Sequence, residues 1–118
     1  MLSLPASTRI FLCLEVADMR RGFDGLAAMV TELVGEDPLS GHLFVFRNRR
    51  QDRVKILYWD RDGLAMWYKR LEKGTFKFPV PVTNGRTRRT EVKASDLMML
   101  LDGVDLASVR RQKRYALA

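Results

Sequence analysis

The sequence predicts an α+β domain: a small, mostly antiparallel sheet with a long basic hairpin and three helices packed on one side of it, in the order β-α-β-β-α-β-(β)-α. Three observations predict it. Strand-like apolar runs and helix-period apolar stripes are intermixed along the chain, with no internal repeat and no low-complexity linker. Two of the strand-like runs are joined by a polar stretch, which reads as a hairpin with a long basic tip. The 118 residues are 47% hydrophobic and 30% charged, enough to bury one core and unlike a disordered composition.

The first strand is expected over residues 9–14, Arg-Ile-Phe-Leu-Cys-Leu, a run rich in strand formers. From Phe23 the period changes: Leu26, Met29, Val30 and Leu33 fall at i, i+3, i+4 and i+7, one face of a helix. Gly35 is placed to close that helix in the left-handed conformation, and Asp37-Pro38 prevents its continuation. Residues 42–46 and 54–59 read as the two hairpin strands, with Arg47-Asn48-Arg49-Arg50-Gln51-Asp52-Arg53 as the tip. Leu43, Phe44, Val45 and Phe46 are apolar on both alternating faces, which places their strand centrally. Leu64, Trp67, Tyr68 and Leu71 repeat the helical spacing and predict a second helix, capped by Asp60 or Asp62 and ended by Gly74. Residues 76–82 read as extended, but Pro79 and Pro81 restrict them to an edge or an irregular segment. Thr83-Asn84-Gly85 signals a turn, a short strand is expected over residues 90–92, and a third helix has Ser95 as N-cap with Leu97, Leu100, Leu101 and Val104 as its stripe and Gly103 near its end. A single domain is therefore expected over residues 1–107, followed by a basic tail over 108–118.

Composition narrows the setting. No apolar run approaches the roughly 20 residues that span a bilayer, and the first residues lack the basic and small-residue features of a secretory signal. Cys13 is the sole cysteine, so an internal disulfide and a cysteine-based zinc cluster are both excluded. Phe11, Leu12 and Leu14 around it suggest a buried thiol in a strand. A cytoplasmic location is expected, with no membrane association.

The net charge is +7, and it is unevenly spread. Residues 1–46 carry three basic against six acidic side chains, and residues 47–118 carry 18 against eight. Arginine outnumbers lysine 15 to 6, and its planar fork suits phosphate. Such an excess points to a polyanionic partner, nucleic acid first. The hairpin tip is the strongest local candidate, with Arg47, Arg49, Arg50 and Arg53, then Lys55. Arg86, Arg88 and Arg89, beside Thr87 and Thr90, form a second patch, and Arg110, Arg111, Lys113 and Arg114 a third. A two-stranded basic ribbon can enter a major groove or follow a backbone. The plainer alternatives are a solvated turn whose arginines pair with neighbouring acids, and a tail that only solubilises.

Longer strings carry a resemblance. Asp18-Met19-Arg20-Arg21-Gly22-Phe23-Asp24-Gly25-Leu26, residues 37–50 from Asp37-Pro38-Leu39-Ser40-Gly41-His42 to Arg47-Asn48-Arg49-Arg50, Lys55-Ile56-Leu57-Tyr58-Trp59-Asp60-Arg61-Asp62-Gly63-Leu64 and Trp67-Tyr68-Lys69-Arg70-Leu71-Glu72-Lys73-Gly74-Thr75-Phe76 resemble the TnpB, or second-open-reading-frame, accessory proteins of bacterial insertion sequence sixty-six elements. The resemblance covers about residues 2–106. It implies a mobile-element protein encoded beside a separate transposase, and it supplies no mechanism. The name TnpB is shared with an unrelated, far longer RNA-guided nuclease, whose activity is not implied here. Residues 80–89 and the tail match no motif of the family, so any role for them rests on charge.

An enzyme reading finds little support. Asp18 and Asp24 bracket the start of the expected first helix, and Asp60 and Asp62 the start of the expected second, where capping and the helix dipole explain carboxylates. His42 is the only histidine and has no cysteine partner or identifiable nucleophile; no phosphate-binding loop or dinucleotide fingerprint occurs. Trp67 and Tyr68 are expected in the core, leaving Trp59 as a possible stacking platform. The expected function is a non-catalytic accessory factor, without cofactor or metal, that binds duplex DNA and acts with the element's transposase. The alternative is a protein-interaction adaptor that docks its acidic N-terminal third on a basic partner; a small metal-dependent nuclease ranks third.

Overall fold

Five strands and two helices make up the regular structure of residues 5–78 and 88–103, the residues described by the computed structural model. In chain order they are β1 (Ile10–Cys13), α1 (Phe23–Met29), β2 (Leu43–Arg47), β3 (Arg53–Asp60), β4 (Gly63–Arg70), β5 (Arg89–Val92) and α2 (Ala94–Leu101). A five-residue π-helical turn, Val30–Val34, prolongs α1. Gly35 stops it at φ +72 and donates its N–H to the Val30 carbonyl at 2.9 Å, the left-handed closure that the sequence predicts.

The strands form one sheet in the order β4-β3-β2-β1-β5. β1 and β2 are parallel, and the other three pairs are antiparallel. A parallel pair needs a crossover, and α1 supplies it. β2 is the central strand, as its two apolar faces require: Leu43 to Phe46 are all buried.

The class is as expected, but the helices are not all on one side. Ile10, Leu12, Leu43, Val45, Val54 and Ile56 point to one face, where Leu97, Leu100 and Leu101 of α2 pack with Phe76 and Phe78. Phe11, Cys13, Phe44, Phe46 and Leu57 point to the other, where Leu26, Met29, Val30 and Val34 pack. Two apolar faces demand a cover on each side, so the sheet is sandwiched between α1 and α2. Cys13 is buried, as expected, and burial pushes its thiol pKa up.

The second helix of the sequence reading is instead strand β4. Its eight residues pair one for one with β3, from Asp60↔Gly63 to Arg53↔Arg70, across a two-residue loop of Arg61 and Asp62. Arg61 adopts φ +58 there. Uninterrupted pairing with β3, across a run rich in strand formers, outweighs a chance helical spacing. Asp60 and Asp62 therefore belong to a turn rather than a helix cap, and Gly74 lies in the bend after β4. α2 begins at Ala94 with Lys93 preceding it and no side-chain cap, so Ser95 is inside the first turn. Gly103, at φ +80, follows its end. Residues 76–78 are irregular; the remainder of that expected segment, the turn at 83–85, Val104 and the basic tail lie outside the described residues. No helix among the described residues is long and apolar enough to cross a membrane.

Candidate nucleic-acid interface

The register gathers basic side chains at one end of the sheet. There β2 and β4 end at Arg47 and Arg70, β3 begins at Arg53, and β5 begins at Arg89. The loop between β2 and β3, residues 48–52, is held by its own amide. Asn48 Nδ2 donates to Asp52 Oδ1 at 2.6 Å, and Asn48 Oδ1 accepts from the Arg53 N–H at 3.0 Å. The hydrogen bond from Asn48 is the main cause that holds the Asp52 carboxyl below its ordinary pKa, and the charges of Arg50 and Arg53 add to it. The segment after β4 braces the loop from outside: Leu71 donates to the Asp52 carbonyl at 2.8 Å and Phe76 to the Gln51 carbonyl at 2.7 Å.

Arg49 and Arg50 project from this braced loop, exposed, and neither makes a hydrogen bond or ion pair among the described residues. With Arg53 and Arg20 they line an open groove of about 650 Å³ floored by Val16, Ala17 and Met19. Arg53 donates to the Tyr68 hydroxyl at 3.3 Å, and beyond it Arg70 and Glu72 border a second depression. Besides Asp52 in the loop, two carboxylates moderate the charge. Asp18 binds Arg20 at 2.7 Å, which draws its pKa down to about 2, and Glu72 sits 3.5 Å from Arg70.

The other predicted contacts are placed differently. Lys55 is only 7% exposed: its Nζ donates to the carbonyls of Met19 at 2.7 Å and Arg21 at 2.9 Å, and lies 4.7 Å from the Tyr68 ring centroid. Arg47 turns inward, donating to the Leu14 carbonyl at 2.8 Å and lying over the Phe78 ring at 5.5 Å. Burial lowers the pKa of its guanidinium, and its Nε has no partner among the described residues. Both cations therefore satisfy backbone carbonyls, Lys55 from within β3 and Arg47 from the end of β2 against Leu14 and Phe78.

Arg88 and Arg89 lie three strands away from Arg53, on the β5 edge, and both meet acids. Arg88 is 3.4 Å from Glu15; Arg89 donates to the Val34 carbonyl at 3.0 Å and lies 3.8 Å from Glu36. Arg9 completes the network with Glu91 at 2.7 Å and Glu36 at 3.6 Å, and the guanidiniums of Arg9 and Arg89 both lie over Phe11. Arg86, Arg110, Arg111, Lys113 and Arg114 fall outside the described residues. Arg20 and Arg70 are the members that sequence reasoning missed. Arg20 carried a signal, as half of an exposed Arg-Arg pair; Arg70 was hidden by the helical reading of β4.

His42 stands at the opposite end of the sheet, its Nδ1 accepting the Arg9 N–H at 3.0 Å and its ring edge-on to Phe11. It shares a depression of about 510 Å³ with Tyr58, Trp59, Asp60 and Arg61. Trp59 is half-buried, whereas Tyr68, expected in the core, is 47% exposed. Among the described residues, no three His, Cys, Asp or Glu side chains converge as a metal site requires.

Comparison with known proteins places this chain in a family. The family described as IS66 Orf2 like protein matches residues 8–111. The uncharacterized protein y4jC of Sinorhizobium fredii is 38% identical over 104 residues, covering 88% of this chain and 86% of the relative. The uncharacterized protein y4hO of the same organism is 33% identical over 105 residues, covering 89% and 88%. No solved structure matches. The chain belongs to the IS66 Orf2-like family, an accessory family of insertion sequences and not a known enzyme family.

Proposed function

We propose that this protein is a non-catalytic accessory factor of transposition that binds duplex DNA through the β2–β3 loop and acts with the transposase of its element. The observation that carries this reading is the pair Arg49 and Arg50, exposed and outside any ion pair among the described residues, on a loop braced from both sides. A braced loop loses little entropy on binding, and Arg53 extends the positive strip along the groove, beside the Arg20–Asp18 ion pair. Phosphate contacts of this kind position a protein on DNA and do not read bases. Arg86 and the arginines of the tail would add to the same electrostatic attraction. The acidic N-terminal third offers less to a basic partner, because Glu15, Asp18 and Glu36 already face Arg88, Arg20, Arg9 and Arg89.

Fluorescence anisotropy on labelled duplex across a salt series tests the proposal. Each phosphate contact adds about 0.9 to the magnitude of the salt slope, so Arg49→Ala/Arg50→Ala should lower it by about 1.8. Arg88→Ala/Arg89→Ala should lower it much less, because those cations are engaged with acids. Absence of binding at low salt, or a slope indifferent to Arg49 and Arg50, defeats the reading.

A further inference from the structure

Strand β4 has an open edge, and its phase is fixed. Leu71 donates to the Asp52 carbonyl, and across the two-residue loop Asp60 pairs with Gly63. In an antiparallel ladder the bonded pairs alternate, so Gly63, Ala65, Trp67 and Lys69 direct their N–H and C=O groups to β3. Leu64, Met66, Tyr68 and Arg70 direct theirs outward, where nothing among the described residues pairs with them. Exposed edges are usually blunted by proline, a bulge or inward-pointing charge. β4 pairs with β3 without interruption and has no proline, and its first charged residue is Lys69. Leu64, Met66 and Trp67 stay half-buried and Tyr68 exposed along this edge, so it is apolar as well as unpaired.

We propose that this edge pairs antiparallel with the same edge of a second copy, about a two-fold axis at Met66. The strand is complementary to itself in that register. Asp62, just before β4, falls opposite Arg70 of the partner subunit at both ends of the ladder, so two unlike pairs close the interface. On the α1 face Leu64 meets the partner's Tyr68 on either side of the paired methionines; on the α2 face the small Ala65 meets the large Trp67 of the partner subunit. A parallel arrangement would bring the two Arg70 side chains together, and a two-residue slip would oppose Asp62 with Glu72. The two-fold pairing is isologous and closes, so it stops at a dimer with a continuous ten-stranded sheet. It sets the two Arg49–Arg50 loops on the order of 40 Å apart, from ~3.3 Å per residue and ~4.8 Å per strand. That spacing is close to one turn of duplex.

Sedimentation equilibrium of the full chain tests the dimer without DNA. The wild type should sediment as a dimer, and Met66→Pro should be a folded monomer, since the lost N–H points outward. Asp62→Arg and Arg70→Asp should each weaken dimerisation roughly 10-fold, because an attraction becomes a repulsion twice per dimer, and the double exchange should restore it. In a Cys13→Ala background, Met66→Cys should form an intermolecular disulfide on mild oxidation, whereas the same change at Thr31, in the π-helical turn after α1, should not. Arg49→Ala/Arg50→Ala should leave the dimer intact, which separates this result from the DNA test. A monomer at every concentration, as when a segment of the same chain occupies the edge, overturns the proposal. So does a dimer that survives Met66→Pro or shows no rescue in the charge exchange.

Discussion

Cations only a few residues apart in the sequence have opposite fates in this protein. Arg49 and Arg50 face solvent, whereas the Lys55 ammonium is spent on two carbonyls of the chain entering α1. Truncating it leaves those acceptors without their donor, and an unpaired buried polar group costs about 1–3 kcal/mol. Lys55→Met should therefore lower the unfolding free energy by that amount in urea, while Arg49→Ala should change it by less than about 0.5 kcal/mol. The acid side of stability belongs to this scale too. The Arg20 guanidinium holds Asp18 at a pKa of about 2, below the ordinary 3.8, so the folded chain binds this proton more weakly than the unfolded chain does. The resulting stabilisation is complete above the ordinary value and is lost as pH falls through about 2. Urea midpoints measured through that window should fall less steeply for Asp18→Asn than for the wild type, so that the wild type's advantage at neutral pH disappears at the acid end. Glu91, held low by Arg9, acts in the same direction.

At the scale of elements, β4 is where local pattern and tertiary pairing diverge. Leu64, Trp67, Tyr68 and Leu71 fit a helix by spacing, yet Trp67 and Tyr68 point to opposite faces of a sheet, one towards α2 and the other beside Lys55. Short apolar runs satisfy both periods, and only the neighbouring strand decides between them. The assignment has a direct consequence. Trp67 donates towards β3 and Met66 away from it, so Trp67→Pro should cost about 1–3 kcal/mol more than Met66→Pro in chemical denaturation. A helix would be damaged equally by either. The hairpin of β2 and β3 was legible because its strands are strongly apolar and its connection strongly polar. The length of its tip was not: Arg47 and Arg53 became strand residues because backbone pairing extends to the last position that finds a partner, and Lys55, expected in the second strand, turned its ammonium inward. For the same reason only part of the predicted basic tip is free to meet a ligand.

For the molecule as a whole, the two faces of the sheet make two apolar clusters that share a single layer of backbone. Leu26 lies in one and Leu100 in the other, both fully buried. Each change to Ala should cost about 2–5 kcal/mol by lost burial and a residual cavity. The double variant should equal their sum within about 0.5 kcal/mol, because the sheet separates the sites. A large shortfall or excess in the double variant would show the two clusters to be one coupled core. The sequence by itself determined the α+β class, the central place of β2, the end of the first helix at Gly35 and the family, since each is written in local composition or in long strings of residues. Tertiary structure alone decided which face each helix covers, that Leu64 to Tyr68 form a strand, and which arginines stay free. Those outcomes depend on the partner that each backbone or charged group meets across the sheet, and sequence spacing carries no record of that partner.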